Sequence, residues 1–191
     1  MKKKTERRKP AGFADYSALA ISTVGVGYMP IAPGTWGSAV GVAIYYGVQY
    51  LIPYIAVSVL HMSASSSALM KTRFDSWITA GVILSLTALI FVGIWACTRA
   101  IPLLGNEDPS EEVIDEVMGQ LVAFLFIPFG LSWHWALAAF LLFRAFDIWK
   151  PWPIRNLEAL TGGLGVCADD IVAGVYAGIC LAVSYSVYLS L

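Results

Sequence analysis

Two adjacent pairs of carboxylates are the residues whose types and spacing are best suited to chemistry. Asp115-Glu116 and Asp169-Asp170 each stand at the edge of a long apolar run, in a chain with only 13 Asp and Glu residues. Like charges beside a layer of low dielectric constant repel each other and lose hydration, which is unfavourable unless cations offset it. Carboxylate oxygens gathered in this way are typical ligands of Mg²⁺ or Mn²⁺. The two pairs therefore indicate a functional site with a divalent cation.

The segment 144–155 could supply the positive charge that such a site needs. Arg144, Asp147 and Lys150 fall at positions i, i+3 and i+6, which is one face of a helix if the helix continues to Lys150. Two cations around one acid suit a phosphate-bearing ligand, with Asp147 orienting a cation or binding the metal. The alternative is a cationic helix end anchored at the membrane surface by tryptophans, which does not explain the acid between two cations.

A third candidate is the segment 33–38, PGTWGS, which leads directly into the first strong apolar run. Glycines leave backbone N–H groups accessible, hydroxyl groups add donors, and a helix N-terminus favours an anion. Thr35 and Ser38 could therefore bind phosphate. The segment could equally be a Pro-Gly turn in which Thr35 or Ser38 caps the helix.

The elements that must position these residues are membrane helices. Hydrophobic residues make up 58% of the chain and charged residues 13%, with a mean hydropathy of +0.71, which is far from the composition of soluble proteins. The length of 191 residues fits one domain. We predict a basic cytoplasmic tail at 1–16 and a single membrane-embedded domain at 17–191. The six Lys and Arg residues of the tail favour contact with anionic lipid over nucleic acid.

Four apolar runs predict an all-α membrane bundle of about four to five embedded helices, because one crossing needs about 20 apolar residues. The runs are 36–60, 77–101, 117–146 and 171–191. The third run is longer than one crossing and is interrupted at Pro128 and Gly130, so we predict a helical hairpin with a partly inserted first arm. A fifth run at 17–32 is broken by glycines and prolines, and its insertion stays open.

The hairpin interpretation places all the polar motifs on one side of the membrane. The segments on that side carry ten Lys and Arg residues, whereas the loop 61–76 on the other side carries two. This asymmetry predicts an active site that faces the cytoplasm. We also expect the glycine-rich segment 162–165 to be a flexible approach to Asp169-Asp170, which would open the last helix.

The motifs that are missing narrow the chemistry. The chain lacks a Walker loop, a Gly-x-Ser-x-Gly motif, a His-Glu-x-x-His motif and the Cys/Arg spacing of a thiol phosphatase. The remaining carboxylates and cations are consistent with metal-assisted attack of water on a phosphate. The competing class is a small transporter or ion-coupled carrier that uses the same carboxylates. Carriers usually contain an internal repeat, and this sequence shows none.

Four ordered blocks of sequence resemble the phosphatidylglycerophosphatase A family. They are PGTxGS at 33–38, IDE at 114–116, FRxFDxxKPxPI at 143–154 and GxxxDDxxAG at 165–174. The resemblance implies an all-helical protein of the bacterial inner membrane that removes the terminal phosphate of phosphatidylglycerophosphate, with Mg²⁺, to give phosphatidylglycerol and phosphate. The family's substrate is made on the cytoplasmic leaflet, which agrees with the side predicted from charge.

The resemblance also implies a role for each candidate residue. The ligands of one or two Mg²⁺ ions would be Asp115, Glu116, Asp169 and Asp170. One of these acids could act as general base toward water, and Asp147 would bind metal or orient a cation. The groups that hold the substrate phosphate would be Thr35, Ser38, Arg144, Lys150 and Arg155.

Overall fold

Every regular element is a helix in the part of the chain that the structure describes. The structure is a computed structural model that describes residues 7–59, 61, 67–106, 109–130 and 132–191. The α-helices are α1 (Phe13–Thr23), α2 (Pro33–Tyr54), α3 (Ala68–Leu104), α4 (Ile114–Phe124), α5 (Trp133–Trp149), α6 (Ile154–Leu157) and α7 (Gly163–Ser190). A 3₁₀ turn at Val26–Tyr28 precedes α2, and a π-helical segment at Ile55–Val59 continues it. The predicted all-α class is confirmed.

Among the described residues, three helical segments are long and apolar enough to cross a membrane. They are Pro33–Ser58, Ala68–Leu104 and Gly163–Ser190. The region 117–146 is divided between α4 and α5, as the interruptions at 128–130 predict. With 11 residues, α4 is about 16 Å long, about half the thickness of the hydrocarbon core. Its length fits the short first arm of the predicted hairpin.

The short helix α4 lies at the centre of the bundle and packs against α2, α3, α5 and α7. Small residues let the backbones approach closely, since a Cβ atom at Gly174 of α7 would collide with the carbonyl oxygen of Gly119 of α4. Gly37 and Gly41 of α2 approach the α4 helix in the same way. These glycines therefore serve helix packing within the chain. Fully buried side chains around α4, α5 and α7 include Ala123, Ala139, Phe143, Ala177 and Leu181.

The last helix begins earlier than predicted. Because α7 starts at Gly163, the segment 162–165 is not a flexible approach, and Asp169 and Asp170 lie about two turns inside the helix. Thr98 of α3 supports the early start, because its Oγ1 accepts a hydrogen bond from the Gly163 N–H at 3.0 Å. A Cβ atom at Gly163 would also collide with the backbone of α3. The contact with α3 thus sets this boundary.

The helix α3 also begins earlier than the apolar run that predicted it. Its first residue is Ala68, and the Oγ of Ser67 accepts a hydrogen bond from the Met70 N–H at 3.2 Å. This side-chain cap stabilises a first turn of moderate polarity. The predicted loop 61–76 is therefore shorter at its C-terminal end, and its residues 62–66 lie outside the described part of the chain.

The helix α2 includes the segment that was predicted to precede it. Pro33 occupies the first helical position, where its missing N–H costs nothing, and Ala32 is the N-cap residue. Thr35 and Ser38 therefore lie inside the helix. The predicted cap by one of these hydroxyl groups is wrong.

Candidate active site

The first carboxylate pair lies in the first turn of α4. Asp115 and Glu116 follow Ile114, where α4 begins, and negative charge is favourable at this positive end of the helix dipole. The Val113 N–H donates a hydrogen bond to the Ser22 carbonyl oxygen at 2.9 Å, which holds the start of α4 against α1. Asp115 is only 8% exposed. The dipole alone does not account for a carboxylate that is this deeply buried.

Asp170 of α7 joins this pair to form a three-carboxylate cluster. One oxygen atom from each of Asp115, Glu116 and Asp170 lies within 4.8 Å of the other two. Asp115 Oδ1 and Glu116 Oε2 are buried and have no hydrogen-bond partner among the described residues. Several hard oxygen ligands that converge with unused lone pairs fit a divalent cation such as Mg²⁺.

Burial and mutual repulsion make the three-carboxylate cluster costly without a cation. Burial raises the pKa of Asp115 well above its usual value, and the charges of Glu116 and Asp170 add to the effect. Burial also raises the pKa of Glu116, although a hydrogen bond with Asp115 and the charge of Arg144 oppose this change. A cation bound between the acids would favour their ionised forms. The charge distribution therefore suits a metal site.

Arg144 of α5 lies beside the three-carboxylate cluster. Its Nη1 atom is 2.7 Å from Asp147 Oδ2 and 3.9 Å from Glu116 Oε1. The carboxyl group of Asp147, one turn further along α5, also contacts that of Asp170. The predicted i, i+3 spacing thus brings one cation and one further acid to the cluster.

Lys150 binds the other acid of the second pair. The helix α5 ends at Trp149, and Lys150 has a left-handed backbone conformation with φ of 47°, so it does not continue the helical face of Arg144. Its Nζ atom donates hydrogen bonds to Asp169 Oδ2 at 2.6 Å and to Glu158 Oε1 at 2.7 Å. Burial lowers the pKa of Lys150, but these two hydrogen bonds raise it above its usual value. Lys150 is therefore a fixed positive charge.

The two acids of the second pair have different neighbours. Asp170 belongs to the three-carboxylate cluster, whereas Asp169 binds Lys150. Consecutive residues of an α-helix point about 100° apart, so adjacent acids face different partners. Asp169 Oδ1 is buried without a hydrogen-bond partner in the described part of the chain. Asp169 is therefore adjacent to Asp170 in the sequence but is not one of the three acids of the cluster.

The start of α2 completes the site. A Cβ atom on Gly34 would collide with Glu116 Oε1 and would lie 3.2 Å from Arg144 Nη1. The absence of a side chain at this position lets the Glu116 carboxylate and the Arg144 guanidinium group lie directly against α2. The positive N-terminal end of α2 therefore lies against the carboxylate and the guanidinium group, where an anion would also be favoured.

A comparison of the whole chain with protein families identifies the family to which it belongs. The family model described as Phosphatidylglycerophosphatase A matches residues 19–185. The chain belongs to the phosphatidylglycerophosphatase A family. The matched region contains the three-carboxylate cluster together with Arg144, Lys150 and Gly34.

Three bacterial relatives are similar to this phosphatidylglycerophosphatase A family member over most of their length. A Bacteroides thetaiotaomicron protein whose name proposes phosphatidylinositol-3-phosphatase activity is 37% identical over 161 residues, covering 84% of this chain and 87% of the relative. The phosphatidylglycerophosphatase A of Haemophilus influenzae is 36% identical over 155 residues, covering 80% and 78%. That of Escherichia coli is 32% identical over 152 residues, covering 79% and 73%. No solved structure matches the chain significantly.

The family and its relatives determine the class of activity. The protein is a lipid phosphatase with membrane helices. The comparisons give no support to the alternative of a transporter or ion-coupled carrier. The four sequence blocks that resemble this family also contain the acids and cations of the site.

Three predicted substrate-binding residues lie outside the contacts described above. Thr35 is exposed, and the hydroxyl group of buried Ser38 donates a hydrogen bond to the Gly34 carbonyl oxygen at 3.0 Å. Arg155 of α6 is exposed and forms no ion pair with a described residue. Direct binding of substrate by Thr35, Ser38 and Arg155 stays a prediction for this family member.

Two polar residues near the site were not predicted. Glu158 holds Lys150, and only the proximity of the two in the sequence could have suggested this. Gln120 lies one turn after Glu116 on α4, is fully buried, and has no hydrogen-bond partner for Oε1 or Nε2 among the described residues. Its only signal in the sequence is that it is the sole polar side chain in the apolar run 117–127.

A separate cluster around Asp15 was also not predicted. Asp15 is fully buried in α1 and accepts hydrogen bonds from Arg8 at 2.9 Å, from Arg99 of α3 at 2.8 Å and from the Ala11 N–H at 2.8 Å. These partners lower the pKa of Asp15 to about 2. Arg8 belongs to the predicted basic tail 1–16, whose first six residues lie outside the described part of the chain. This Asp15 cluster (Asp15, Arg8 and Arg99) joins the N-terminal segment to α3.

Proposed function

We propose that this protein hydrolyses the terminal phosphomonoester of phosphatidylglycerophosphate to phosphatidylglycerol and inorganic phosphate in an Mg²⁺-dependent reaction. The observation that carries the proposal is the three-carboxylate cluster of Asp115, Glu116 and Asp170, with buried oxygens that lack partners among the described residues. Arg144 and Lys150 beside it supply the positive charge that a phosphomonoester requires. The substrate is inferred from two relatives that are named phosphatidylglycerophosphatase A.

The residues that would hold Mg²⁺ are Asp115, Glu116 and Asp170. Their carboxylate oxygens match the preference of this cation for hard ligands, and a small number of carboxylates leaves room for water and phosphate oxygens. When bound, Mg²⁺ supplies charge neutralisation and polarisation of a phosphoryl oxygen. Asp169, which was predicted as a further ligand, orients Lys150 and lies at the edge of the metal site.

Arg144 and Lys150 bind the phosphate oxygens. The planar guanidinium group of Arg144 presents paired donors to an anion, and Asp147 fixes its orientation through the 2.7 Å contact. Lys150 is held by Asp169 and Glu158, so its ammonium group keeps a defined position with one remaining donor. Both cations favour a transition state in which negative charge on the phosphoryl oxygens increases.

The proton balance of the reaction involves one carboxylate of the site. A water molecule attacks phosphorus, and a carboxylate accepts one of its protons as the new P–O bond forms. The bond between phosphorus and the glycerol oxygen breaks, and this oxygen takes the proton back from the carboxylic acid to become the hydroxyl group of phosphatidylglycerol, which restores the carboxylate. Gly34 brings the N-terminal end of α2 next to Glu116 and Arg144. From there, Thr35 and the backbone of this helix end hold the phosphate or a water molecule bound to Mg²⁺.

The site faces the cytoplasm in a bacterial inner membrane. The supporting observation is the distribution of Lys and Arg, ten of which lie in the segments predicted to share one side of the membrane.

A second candidate substrate is a phosphatidylinositol 3-phosphate, because the name of the 37%-identical relative proposes that activity. Both candidates are phosphomonoesters attached to a diacylglycerol lipid, so the same cluster could act on either.

The test is an assay of phosphate release by protein purified in detergent. Phosphatidylglycerophosphate and phosphatidylinositol 3-phosphate are compared with Mg²⁺, with EDTA, and in the variants Asp115→Asn and Asp170→Asn. The matched control is Asp75→Asn, because Asp75 is an exposed acid of α3. We expect hydrolysis of phosphatidylglycerophosphate that requires Mg²⁺ and is lost in both site variants. Activity that survives EDTA and both substitutions would refute the metal–carboxylate mechanism.

A further inference from the structure

An apolar groove lies between the two long helices α2 and α3. It has a volume of about 400 Å³, which is within the usual range of ligand sites of about 300–1,000 Å³. Ile44 and Ile52 of α2 and Trp77 and Ile78 of α3 line its sides, and Phe124 of α4 lines its base. This α2–α3 groove is almost entirely apolar.

The groove exists because α2 and α3 are separated. Each of the two helices packs against α4, but over the described residues they make at most marginal contact with each other. The α3 side carries Gly81 and Ser85, and a Cβ atom on Gly81 would meet open space. Both helices are long and apolar enough to cross a membrane, so an apolar occupant fits the gap between them.

We propose that an acyl chain of the phospholipid substrate occupies the α2–α3 groove while its phosphate lies at the three-carboxylate cluster. This inference rests on the proposed function, because it assigns the lipid part of the same substrate. The chain has to leave the phosphate in the direction of the hydrocarbon core, and α4 connects the two places. Asp115 and Glu116 lie at its N-terminal end, and Leu121 and Leu125 of the groove follow on the same segment.

The distances along the helices fit a lipid. Leu121 and Leu125 lie five and nine positions after Glu116, which is about 8 to 14 Å along a helix. Along α2, Ile44 lies ten positions after Gly34, the residue that contacts Glu116, which is about 15 Å. One leaflet of the hydrocarbon core is about 15 Å thick. The groove therefore begins at the depth where the acyl chains of a lipid with its phosphate at the site would lie.

One wall of the groove is a packed aromatic pair. Tyr45 of α2 is only 5% exposed and stacks on Phe124 of α4, with ring centroids 4.0 Å apart and planes within 8° of parallel. Its hydroxyl oxygen accepts a hydrogen bond from the side-chain amide of Gln49 at 3.0 Å. Rigid aromatic walls favour one path for a flexible chain, which positions the headgroup for reaction.

The first test narrows the groove without touching the site. Gly81→Trp places a large side chain in the open space of the groove, and Gly47→Trp is the matched control, because Gly47 of α2 also has open space but does not line the groove. We expect Gly81→Trp to lower kcat/KM for long-chain phosphatidylglycerophosphate by about tenfold or more, since misplacement of a substrate is costly. For phosphatidylglycerophosphate with two six-carbon (dihexanoyl) chains, kcat/KM of Gly81→Trp should fall less than about twofold. The Gly47→Trp control should change kcat/KM for the long-chain substrate equally little. Equal losses on both substrates, or in both variants, would overturn the inference.

The second test does not depend on hydrolysis. Phosphatidylglycerophosphate with a photoreactive diazirine in its acyl chain is added to the Asp115→Asn variant, and labelled residues are located by mass spectrometry. We expect labels on groove residues such as Ile44 and Leu121, and loss of these labels when Gly81→Trp is added. Labels spread equally over exposed residues of α5 and α7, such as Leu141 and Val183, would overturn the inference.

The two tests separate the inference from the proposed function. Groove labelling without hydrolysis of either candidate lipid by the wild-type protein would refute the proposed function and leave the acyl site standing. Normal hydrolysis with no groove labelling would overturn the acyl-chain assignment and leave the proposed function standing. A dimer whose formation requires the unobstructed groove would place a second copy there and would overturn the acyl-chain assignment.

Discussion

The Asp15 cluster and the three-carboxylate cluster both bury carboxylates, and they do so in opposite ways. The carboxylate of Asp15 is surrounded by Arg8, Arg99 and a backbone N–H, and its pKa is lowered to about 2. The three-carboxylate cluster gathers Asp115, Glu116 and Asp170, and burial and neighbouring acids raise the pKa of Asp115. The first acid has all the partners it needs within the chain. The second group has an excess of negative charge.

The difference shows how a structural acid can be distinguished from a functional one. In the Asp15 cluster two cations neutralise one acid, so its charges have a clear role in joining α1, α3 and the N-terminal segment. Near the three-carboxylate cluster, acids outnumber cations, and buried oxygens lack partners in the described part of the chain. Such an unbalanced group is typical of a site that a ligand or metal ion completes. The predictions below test this distinction.

The largest expected effect is the loss of activity on removal of one acid of the cluster. Asp115→Asn and Asp170→Asn should each lower kcat by more than about 100-fold, because loss of a direct ligand costs more than loss of an outer partner. Asp15→Asn should keep most of the activity. Thermal unfolding in EDTA provides the contrast, since Asp115→Asn removes repulsion and should keep or raise Tm, whereas Asp15→Asn should lower it. A lower Tm in EDTA for Asp115→Asn would show that its charge stabilises the fold.

The next largest effect is the loss of kcat/KM on replacing the arginine beside the three-carboxylate cluster, compared with replacing one in the Asp15 cluster. Arg144→Gln should lower kcat/KM by about 100-fold, which is typical for loss of a group that stabilises transition-state charge. The matched variant Arg99→Gln removes an arginine from the Asp15 cluster and should lower Tm with little change in kcat/KM. Steady-state kinetics and thermal unfolding of both variants measure the difference. Equal kinetic losses in the two variants would contradict the separation of roles.

Metal binding should stabilise one region and leave the other unchanged. Mg²⁺ at about 100 times its Kd should stabilise the wild-type protein by about 2.7 kcal/mol, because a ligand that binds only the folded state shifts unfolding by mass action. The Asp15→Asn variant should show the same increase, whereas Asp170→Asn should show almost none. The measurement is Tm with and without Mg²⁺ in detergent. An increase that persists in Asp170→Asn would place the metal elsewhere.

The clusters differ in how much of them could be predicted. The carboxylate pairs and the 144–155 segment were visible because charge is rare in apolar sequence, and the order of the motifs indicated the family. The division of roles between Asp169 and Asp170 was not visible, since it depends on which side of α7 meets α4. That contact depends in turn on Gly119 and Gly174, which are far apart in the sequence. The predicted metal set contains Asp169 in addition to the three acids of the cluster, and the role of Asp169 as a ligand stays a prediction.

Helix boundaries and the Asp15 cluster could not be predicted for the same reason. A glycine-rich segment is locally typical of a loop, yet Thr98 and the backbone of α3 stabilise the start of α7 there. Asp15 lies near the end of the predicted basic cytoplasmic tail 1–16, and its partner Arg99 is 84 positions away. Hydrophobic runs predicted the helices well, because apolar length is a local property. Ends and polar contacts depend on the neighbours that tertiary packing brings together.

Acid should remove the stabilising contribution of the Asp15 cluster. The folded pKa of about 2 lies below the usual value of 3.8, so the contribution is fully present above about pH 3.8 and is lost as the pH falls through about 2. The difference in Tm between wild type and Asp15→Asn should therefore be constant above pH 4 and should shrink below it. A difference that grows on acidification would show that protonated Asp15 is the stabilising form.

The smallest expected effect concerns Arg155, which is exposed and has no ion pair with a described residue. Exposed charges act over distance and are screened by salt, so Arg155→Ala should lower kcat/KM only a few-fold at low ionic strength and hardly at all in 0.5 M salt, where the Debye length is only about 4 Å. Lys150→Ala is the matched variant, because Lys150 is partly buried between Asp169 and Glu158. Its loss should persist at high salt, since buried charges are screened much less. A loss for Arg155→Ala that is equally large and independent of salt would mean that Arg155 contacts the substrate phosphate directly, inside the site rather than at its edge.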